Sequence, residues 1–150
     1  MNVLKPLRVF FIVLVILLAL QFELGMAVNL SPTLQDIPPL AGSISAMMTA
    51  LSKVGVEAFV HAVLGTALVA AGLVGLVLSI LSGSRIIVAM GIGSFLFLAL
   101  AELSGILFTL SGFKDDGDSH GMATGFLLAF SFSFIQVCVA SVKLRRRREP

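Results

Sequence analysis

Charged residues are scarce in this chain. Asp, Glu, Lys and Arg make up 12% of its 150 residues and hydrophobic residues make up 58%, a balance that excludes an ordinary soluble domain. Because Cys138 is the single cysteine, the chain has no internal disulfide, and its place deep in an apolar segment predicts a small packing residue. The sequence also lacks a phosphate-binding loop, a metalloprotease signature and a nucleophile–base pair, which leaves a hydrolytic enzyme without support.

Long apolar runs are what the chain has instead. Four runs, at about 8–28, 56–81, 86–110 and 121–142, each reach the roughly 20 residues that span a hydrocarbon core of about 30 Å. Because backbone polar groups in lipid must pair within their own segment, these runs predict helices. We expect an all-α integral membrane protein with a single transmembrane domain, residues 1–150, folded as an up-down-up-down four-helix bundle.

The first run admits a second interpretation, a cleaved signal peptide. It follows a basic start and ends near a Gly-Met-Ala sequence that resembles a cleavage site. Its apolar character continues as far as Leu30, longer than such a leader usually is, which favours a retained helix. Cleavage would leave three spans in the same orientation.

The basic residues predict the orientation in the membrane. Lys5 and Arg8 precede the first run, Arg85 lies between the second and third, and KLRRRREP follows the fourth. The positive-inside rule then places both termini in the cytoplasm of a multi-pass cell-membrane protein, with the connections 29–55 and 111–120 outside. The charges of those two connections are Asp36, Lys53, Lys114, Asp115, Asp116 and Asp118.

The basic tail also predicts a partner. We expect anionic lipid at Arg145, Arg146, Arg147 and Arg148, at about 1 kcal/mol per charge. Because the basic residues serve as topological anchors, nucleic acid is not an expected partner.

Within the connection 29–55, the sequence LAGSISAMMTALSK predicts a short amphipathic helix. Ile44, Met47, Met48 and Leu51 recur at helical spacing, so this helix would lie on the outer interface or cover the bundle. The alternative is that the segment extends the second span at its N-terminus.

Small and polar residues recur at steps of three and four along the runs, which predicts the faces that pack together in lipid. The expected inward positions are Gln21 and Gly25 on the first run; His61, Gly65, Leu68, Gly72, Gly75 and Ser79 on the second; Gly91, Ser94, Leu98, Glu102, Gly105 and Thr109 on the third; and His120, Thr124, Leu127, Ser131, Phe134, Cys138 and Ser141 on the fourth.

The two histidines are expected at one depth. His61 lies 24 residues before Arg85 and His120 lies 25 before Arg145, which puts both about 36–38 Å from the cytoplasmic markers. In an up-down-up-down bundle the second and fourth spans stand diagonally opposite, roughly 11–14 Å apart. That distance suits two imidazoles with a flat metal complex between them, a bis-histidine haem.

Two other interpretations of the histidines stay open. Each ring could sit in the headgroup region without any ligand. A mononuclear zinc or copper site could use His61, His120, Glu57 and Asp118. The small-residue faces beneath both histidines favour the larger flat cofactor.

The order of these residues resembles one four-helix half of a heme A synthase. The matching positions are Gln21 and Gly25 on the first run, Glu57, His61 and Gly65 on the second, the basic turn at Arg85, and SHGMATG at the start of the fourth. A similar pattern occurs in small uncharacterised four-span membrane proteins. The chain departs from the family at Ala62, where arginine is common, and at Glu102, where glutamine is common.

The resemblance implies haem b with His61 and His120 as axial metal ligands. Glu57, four residues before His61, or a backbone carbonyl could then accept the N–H of that ring. Lys53 and Lys114 become candidates for pairing with the haem propionates, beside the plainer interpretation that both are solvated loop charges.

Glu102 is the third unusual group, because it lies about 13 Å below the outer end of its span, where a carboxylate is costly. It could relay protons to a haem edge or to a quinol. Alternatively, it could be a hydrogen-bond partner of Gln21 or Thr124.

Two classes of function follow. The first is a haem-binding membrane protein with an electron-transfer or haem-handling role, either a cytochrome b-like subunit with a membrane redox partner or a half-size synthase working as a homodimer. The second is a non-haem structural or accessory subunit whose polar interior only specifies packing.

Overall fold

Five helices make up the described part of the chain. The computed structural model describes residues 3–30, 38–40 and 42–146. Four of the helices are long and apolar enough to cross a membrane, which confirms the four predicted spans. In chain order the helices are α1 (Leu4–Asn29), α2 (Ile44–Val54), α3 (Val56–Leu81), α4 (Arg85–Leu110) and α5 (Asp116–Arg146). Asp36, Arg147 and Arg148, which entered the predictions on orientation and lipid binding, lie outside the described residues.

The start of α5 differs most from the prediction. The helix begins at Asp116, five residues before the predicted start at 121, and continues past 142 to Arg146. A carboxylate caps its first turn, because Asp115 Oδ1 accepts a hydrogen bond from the backbone N–H of Asp118 at 3.1 Å. His120 therefore lies inside the helix, not before it.

The connection between α1 and α3 contains a separate helix, α2. Ser43 begins it, since the Ser43 hydroxyl accepts from the backbone N–H of Ala46 at 3.1 Å. Gly55 ends it with φ 133° and ψ 177°, a conformation that side-chain-bearing residues rarely adopt and that breaks the helix before α3. The alternative that this segment extends the second span is therefore wrong.

α2 covers one end of the bundle. Its Leu51 is buried in a cluster with Val28 of α1 and Ala58 of α3, and Met47 packs against the same cluster. We call this the α2 end. The opposite end, where α3 stops at Leu81 and α4 starts, is the Arg85 end.

The four long helices pack in a ring of neighbours. α4 packs against α3 and α5, and α1 packs against the same two helices. α3 and α5 are thus at opposite corners. Small residues permit a close approach between α4 and α5, where a Cβ on Gly125 would stand 2.9 Å from the backbone nitrogen of Ala101.

The inward faces of α3 and α4 largely match the predicted ones, but that of α5 does not. The buried residues of α5 are Gly125, Ala129, Ser133, Gln136, Ala140 and Leu144. Leu127 and Phe134, predicted inside, are 62% and 53% exposed, and Cys138 is exposed as well. The predicted face of α5 is wrong because the alternative face offers smaller side chains for contact with α4, while Leu127 and Phe134 are compatible with lipid.

Candidate functional site

A cavity of about 260 Å³ lies between the helices at the α2 end. Leu18, Leu68 and Leu98, all buried, line its deep part. Phe22 and Ile106 also line it and are 49% and 37% exposed, so the cavity is partly open at the side of the bundle. The polar side chains among its lining residues are Gln21, Asn29, His61, Thr66, Glu102, Thr109 and Ser119.

Gln21 and His61 form the first polar contact in the cavity. Gln21 is only 8% exposed, and its Nε2 donates to the carbonyl oxygen of His61 at 3.0 Å. The same Nε2 lies 3.5 Å from the His61 ring Nε2. Gln21 Oε1 and His61 Nδ1 are buried and have no hydrogen-bond partner in the structure. Since the neighbouring side chains leave these two atoms unpaired, each can bond to a ligand or a water.

Two glycines make this arrangement possible by letting side chains approach the backbone. A Cβ on Gly25 would stand 2.9 Å from Cε1 of the His61 ring. A Cβ on Gly65 would stand 2.7 Å from Glu102 Oε2 and 3.2 Å from Gln21 Nε2. Because neither glycine has a Cβ, the side chains of Gln21, His61 and Glu102 can occupy this space.

Glu102 has a partner that the sequence did not suggest. The hydroxyl of Thr66 donates to Glu102 Oε1 at 2.6 Å, and it also lies 3.1 Å from the carbonyl oxygen of Ala62. Of the two predicted partners, Thr124 is exposed on α5, and Gln21 is near Glu102 only through the space above Gly65. Thr66 directly follows Gly65, and that adjacency to the small-residue face is the signal that could have found it.

The structure does not bring His120 into this cavity. Its ring is exposed, and its Nδ1 donates to the carbonyl oxygen of Asp116 at 2.7 Å, one turn back along α5. Glu57 is also exposed, with one carboxylate oxygen near Gly55. Ligation of one iron by both His61 and His120 stays a prediction.

The zinc or copper alternative finds no assembled ligand set. Within residues 3–30, 38–40 and 42–146, no three His, Cys, Asp or Glu side chains come together as a metal site would require. His61 shares the cavity with Glu102, whereas Glu57, Asp118 and His120 are not among its lining residues.

Of the two predicted haem ligands, the structure places one, His61, in the cavity. An imidazole with a buried, unpartnered nitrogen in an apolar cavity is a donor that iron accepts, and His61 supplies it. The cavity volume of about 260 Å³ is near the lower end of small-molecule sites, roughly 300–1,000 Å³. Lys53 and Lys114, the candidates for the propionates, are exposed and do not line the cavity.

Gln21, His61, Thr66 and Glu102 form one polar layer of the bundle, at the α2 end. A second polar layer lies toward the Arg85 end. Gln136 is fully buried, and its Nε2 donates to Ser79 Oγ at 2.6 Å and to the carbonyl oxygen of Ile87 at 3.1 Å. Beside it, the hydroxyls of Ser94 and Ser133 lie 2.8 Å apart. These hydrogen bonds join α3, α4 and α5 directly, and the sequence predicted Ser79 and Ser94 but missed Gln136 and Ser133.

No protein-family model, curated protein or solved structure matches this chain. The resemblance to half of a heme A synthase therefore stays a prediction from the residue pattern. What the chain does has to follow from its cavity and its polar layers.

Proposed function

We propose that this chain is a multi-pass membrane protein that binds haem b in the cavity at the α2 end and has an electron-transfer or haem-handling role. The observation that carries the proposal is the His61 ring, which lines the cavity with a buried Nδ1 that no neighbouring group satisfies. An intramembrane titratable side chain of this kind is a functional site by default, because leaving it unpaired in lipid is costly.

In the proposal His61 would give the iron one imidazole nitrogen, and Gln21 positions it by donating to its backbone carbonyl. His120 is the candidate for a second histidine ligand. Its Nδ1–H is used by Asp116, which in the neutral ring leaves Nε2 as the nitrogen with a free lone pair. A bound haem would supply one-electron redox chemistry, and the apolar walls around it would limit contact with water.

The proposal also includes an orientation of the bundle in the membrane. Both termini are cytoplasmic, the helices run up-down-up-down, and the α2 end faces outward, because the basic residues gather at the other end. A membrane redox protein or a quinol would exchange electrons with the cofactor, a second copy of the chain would complete a synthase-like dimer, and Arg145 and Arg146 would hold anionic lipid.

An absorption spectrum of the purified protein tests the haem proposal. With adequate haem supply the parent protein should show a low-spin b-type spectrum, and His61→Ala should abolish it or convert it to high spin, since the iron loses a ligand. His120→Ala should behave alike if its ring is the second ligand. A matched control is Gln136→Leu, which should retain the spectrum. A colourless parent protein would refute haem binding.

If only His61→Ala changes the spectrum, haem binds in the cavity and His120 is not a ligand of the iron.

The alternative function, a non-haem structural or accessory subunit, is favoured by the layer around Gln136, where polar groups serve contacts between helices. It predicts a colourless protein in which His61→Ala has no spectroscopic consequence.

A further inference from the structure

We propose that the polar part of the cavity, formed by Gln21, His61, Thr66 and Glu102, is a binding site for the hydroxyl group of a neutral, lipid-soluble hydroquinone. The proposal goes beyond haem binding, because it concerns a different ligand that needs no iron and enters the same cavity in the haem-free protein. It rests on unsatisfied acceptors, on the chemistry of the cavity walls and on an opening toward lipid.

The hydrogen-bonding capacity of the site is unbalanced toward acceptance. Gln21 Oε1 can only accept, and it is buried with no partner. The Thr66 hydroxyl already has two acceptors, Glu102 Oε1 and the carbonyl oxygen of Ala62. One N–H of the Gln21 amide is engaged by the His61 carbonyl, and neither donor reaches Gln21 Oε1. A ligand that contributes an O–H donor would complete these bonds.

The unpaired Gln21 Oε1 favours binding of a ligand that can donate a hydrogen bond to it. A buried acceptor without a partner has lost its hydrogen bond to water, and a ligand hydroxyl would replace that bond. His61 Nδ1, also buried and unpaired, adds a second atom that a ligand hydroxyl can reach in either tautomer of the ring. One hydroxyl both donates and accepts, which matches the pair Gln21 Oε1 and His61 Nδ1.

The walls favour an aromatic ring. Three methionines, Met26, Met47 and Met122, line the cavity, and thioether sulfur makes favourable contacts with aromatic rings. Phe22 and Phe126, which also line it, stack on each other with ring centroids 5.7 Å apart and an interplanar angle of 27°. A volume of about 260 Å³ accommodates a single substituted ring.

The ligand is neutral and comes from the bilayer. No Lys or Arg is among the cavity-lining residues that the structure describes, so a phosphate or carboxylate headgroup would lack a counter-ion. The half-exposed Phe22 marks a path between the helices through which the ring can enter and an isoprenoid or alkyl tail can remain in lipid. Together these features point to a hydroquinone.

A tryptophan introduced into the cavity wall gives a direct binding assay, because the chain has no Trp and no Tyr. Haem-free Phe126→Trp protein in detergent is titrated with duroquinol under anaerobic reducing conditions, and separately with duroquinol dimethyl ether. The ether keeps the ring and both oxygens but has no O–H. We expect duroquinol to quench the indole fluorescence with about 10-fold higher affinity than the ether, as one or two hydrogen bonds provide.

Matched glutamine variants locate the effect. In the Phe126→Trp background, Gln21→Leu or the unbranched Gln21→Met should reduce the preference for duroquinol to less than about 2-fold, because the acceptor is gone. Gln136→Leu, which removes the corresponding amide toward the Arg85 end, should retain about 10-fold. Circular dichroism verifies that each variant is folded.

Two results would overturn the proposal: equal affinities for duroquinol and its ether in the parent background, or an unchanged preference in both folded Gln21 variants. The failure of haem binding is a separate outcome. If the protein is colourless but still prefers duroquinol, the hydroquinone site stands and the haem proposal fails. If the protein binds haem but shows no preference for duroquinol, the haem proposal stands and the hydroquinone site fails.

Discussion

Two polar layers cross the same bundle, and each is built around a glutamine. At the α2 end Gln21 lies beside a cavity with His61 and Glu102. Toward the Arg85 end Gln136 lies among buried serines, with Ser79 and Ser133 each 0% exposed. Both glutamines have an Oε1 without a partner. The number of unpaired acceptors therefore does not distinguish the layers.

Space distinguishes them. A Cβ on Gly91 would stand 2.6 Å from Ser79 Oγ and 2.7 Å from Ser79 Cβ, so the layer around Gln136 is filled by short side chains that cannot retreat. At the α2 end the corresponding neighbour of Gly25 is the tip of a histidine ring with a cavity at its side. Polar residues serve helix packing in the layer around Gln136 and can serve a ligand in the layer at the α2 end.

Orientation is the largest predicted effect, because the result is all or none. In a Cys138→Ser background, Ser43→Cys at the α2 end should react with a membrane-impermeant maleimide added to intact cells, while a cysteine appended after Pro150 should not. The reason is that the positive-inside rule places the α2 end outside. Permeabilised cells, in which both should react, are the control, and the reverse pattern in intact cells would invert the bundle.

A methyl group should destabilise the two layers unequally. Gly91→Ala should lower the free energy of unfolding by about 1–3 kcal/mol, because the new Cβ overlaps Ser79, whose own Cβ is fixed to α3. Gly25→Ala should cost less, since the His61 ring can turn into the cavity. Unfolding by SDS in mixed micelles measures both. Equal costs would mean that the cavity provides no room for the ring.

The two glutamines sharpen the same contrast. Gln136→Leu removes two hydrogen bonds from a filled layer and should destabilise the bundle by about 1 kcal/mol. Both substitutions remove an unpaired buried oxygen, but Gln21→Leu removes only one clear hydrogen bond, so its cost should stay below about 0.5 kcal/mol. The same SDS titration gives both values, and a larger loss for Gln21→Leu would make the α2 end the structural layer.

The spans and part of the site could be predicted from the sequence. Runs of more than 20 apolar residues leave a backbone in lipid few alternatives to a helix, so four spans followed directly. His61, Gln21 and Glu102 were expected inside because such groups are costly in lipid, and the structure brings all three to one cavity.

The inward face of α5 could not be predicted by counting polar residues, because a serine hydroxyl can donate to a carbonyl oxygen of its own helix and needs no partner on another helix. Ser131 and Ser141 face away from the buried side, and their hydroxyls donate to the carbonyl oxygens of Leu127 and Val137 in the preceding turn. A glutamine amide has more groups to satisfy than one such bond provides. Gln136 was therefore the residue of α5 that indicated the inward face. Because His120 was assigned to the wrong face of α5, it was expected inside the bundle, whereas the structure has it exposed.

The smallest predicted effect concerns Glu57, for which the residue pattern and the structure imply different roles. The pattern makes its carboxylate the acceptor that orients the His61 ring, whereas the structure has it exposed in the first turn of α3. In the structural role, Glu57→Gln keeps the size, removes a charge from a helix N-terminus and should cost less than about 0.5 kcal/mol. It should leave the preference for duroquinol and any haem spectrum unchanged. Both assays compare Glu57→Gln with Glu102→Gln. A spectral shift or a lost preference for duroquinol in Glu57→Gln would mean that Glu57 turns toward the cavity when a ligand is bound. Glu57 would then belong to the polar layer at the α2 end.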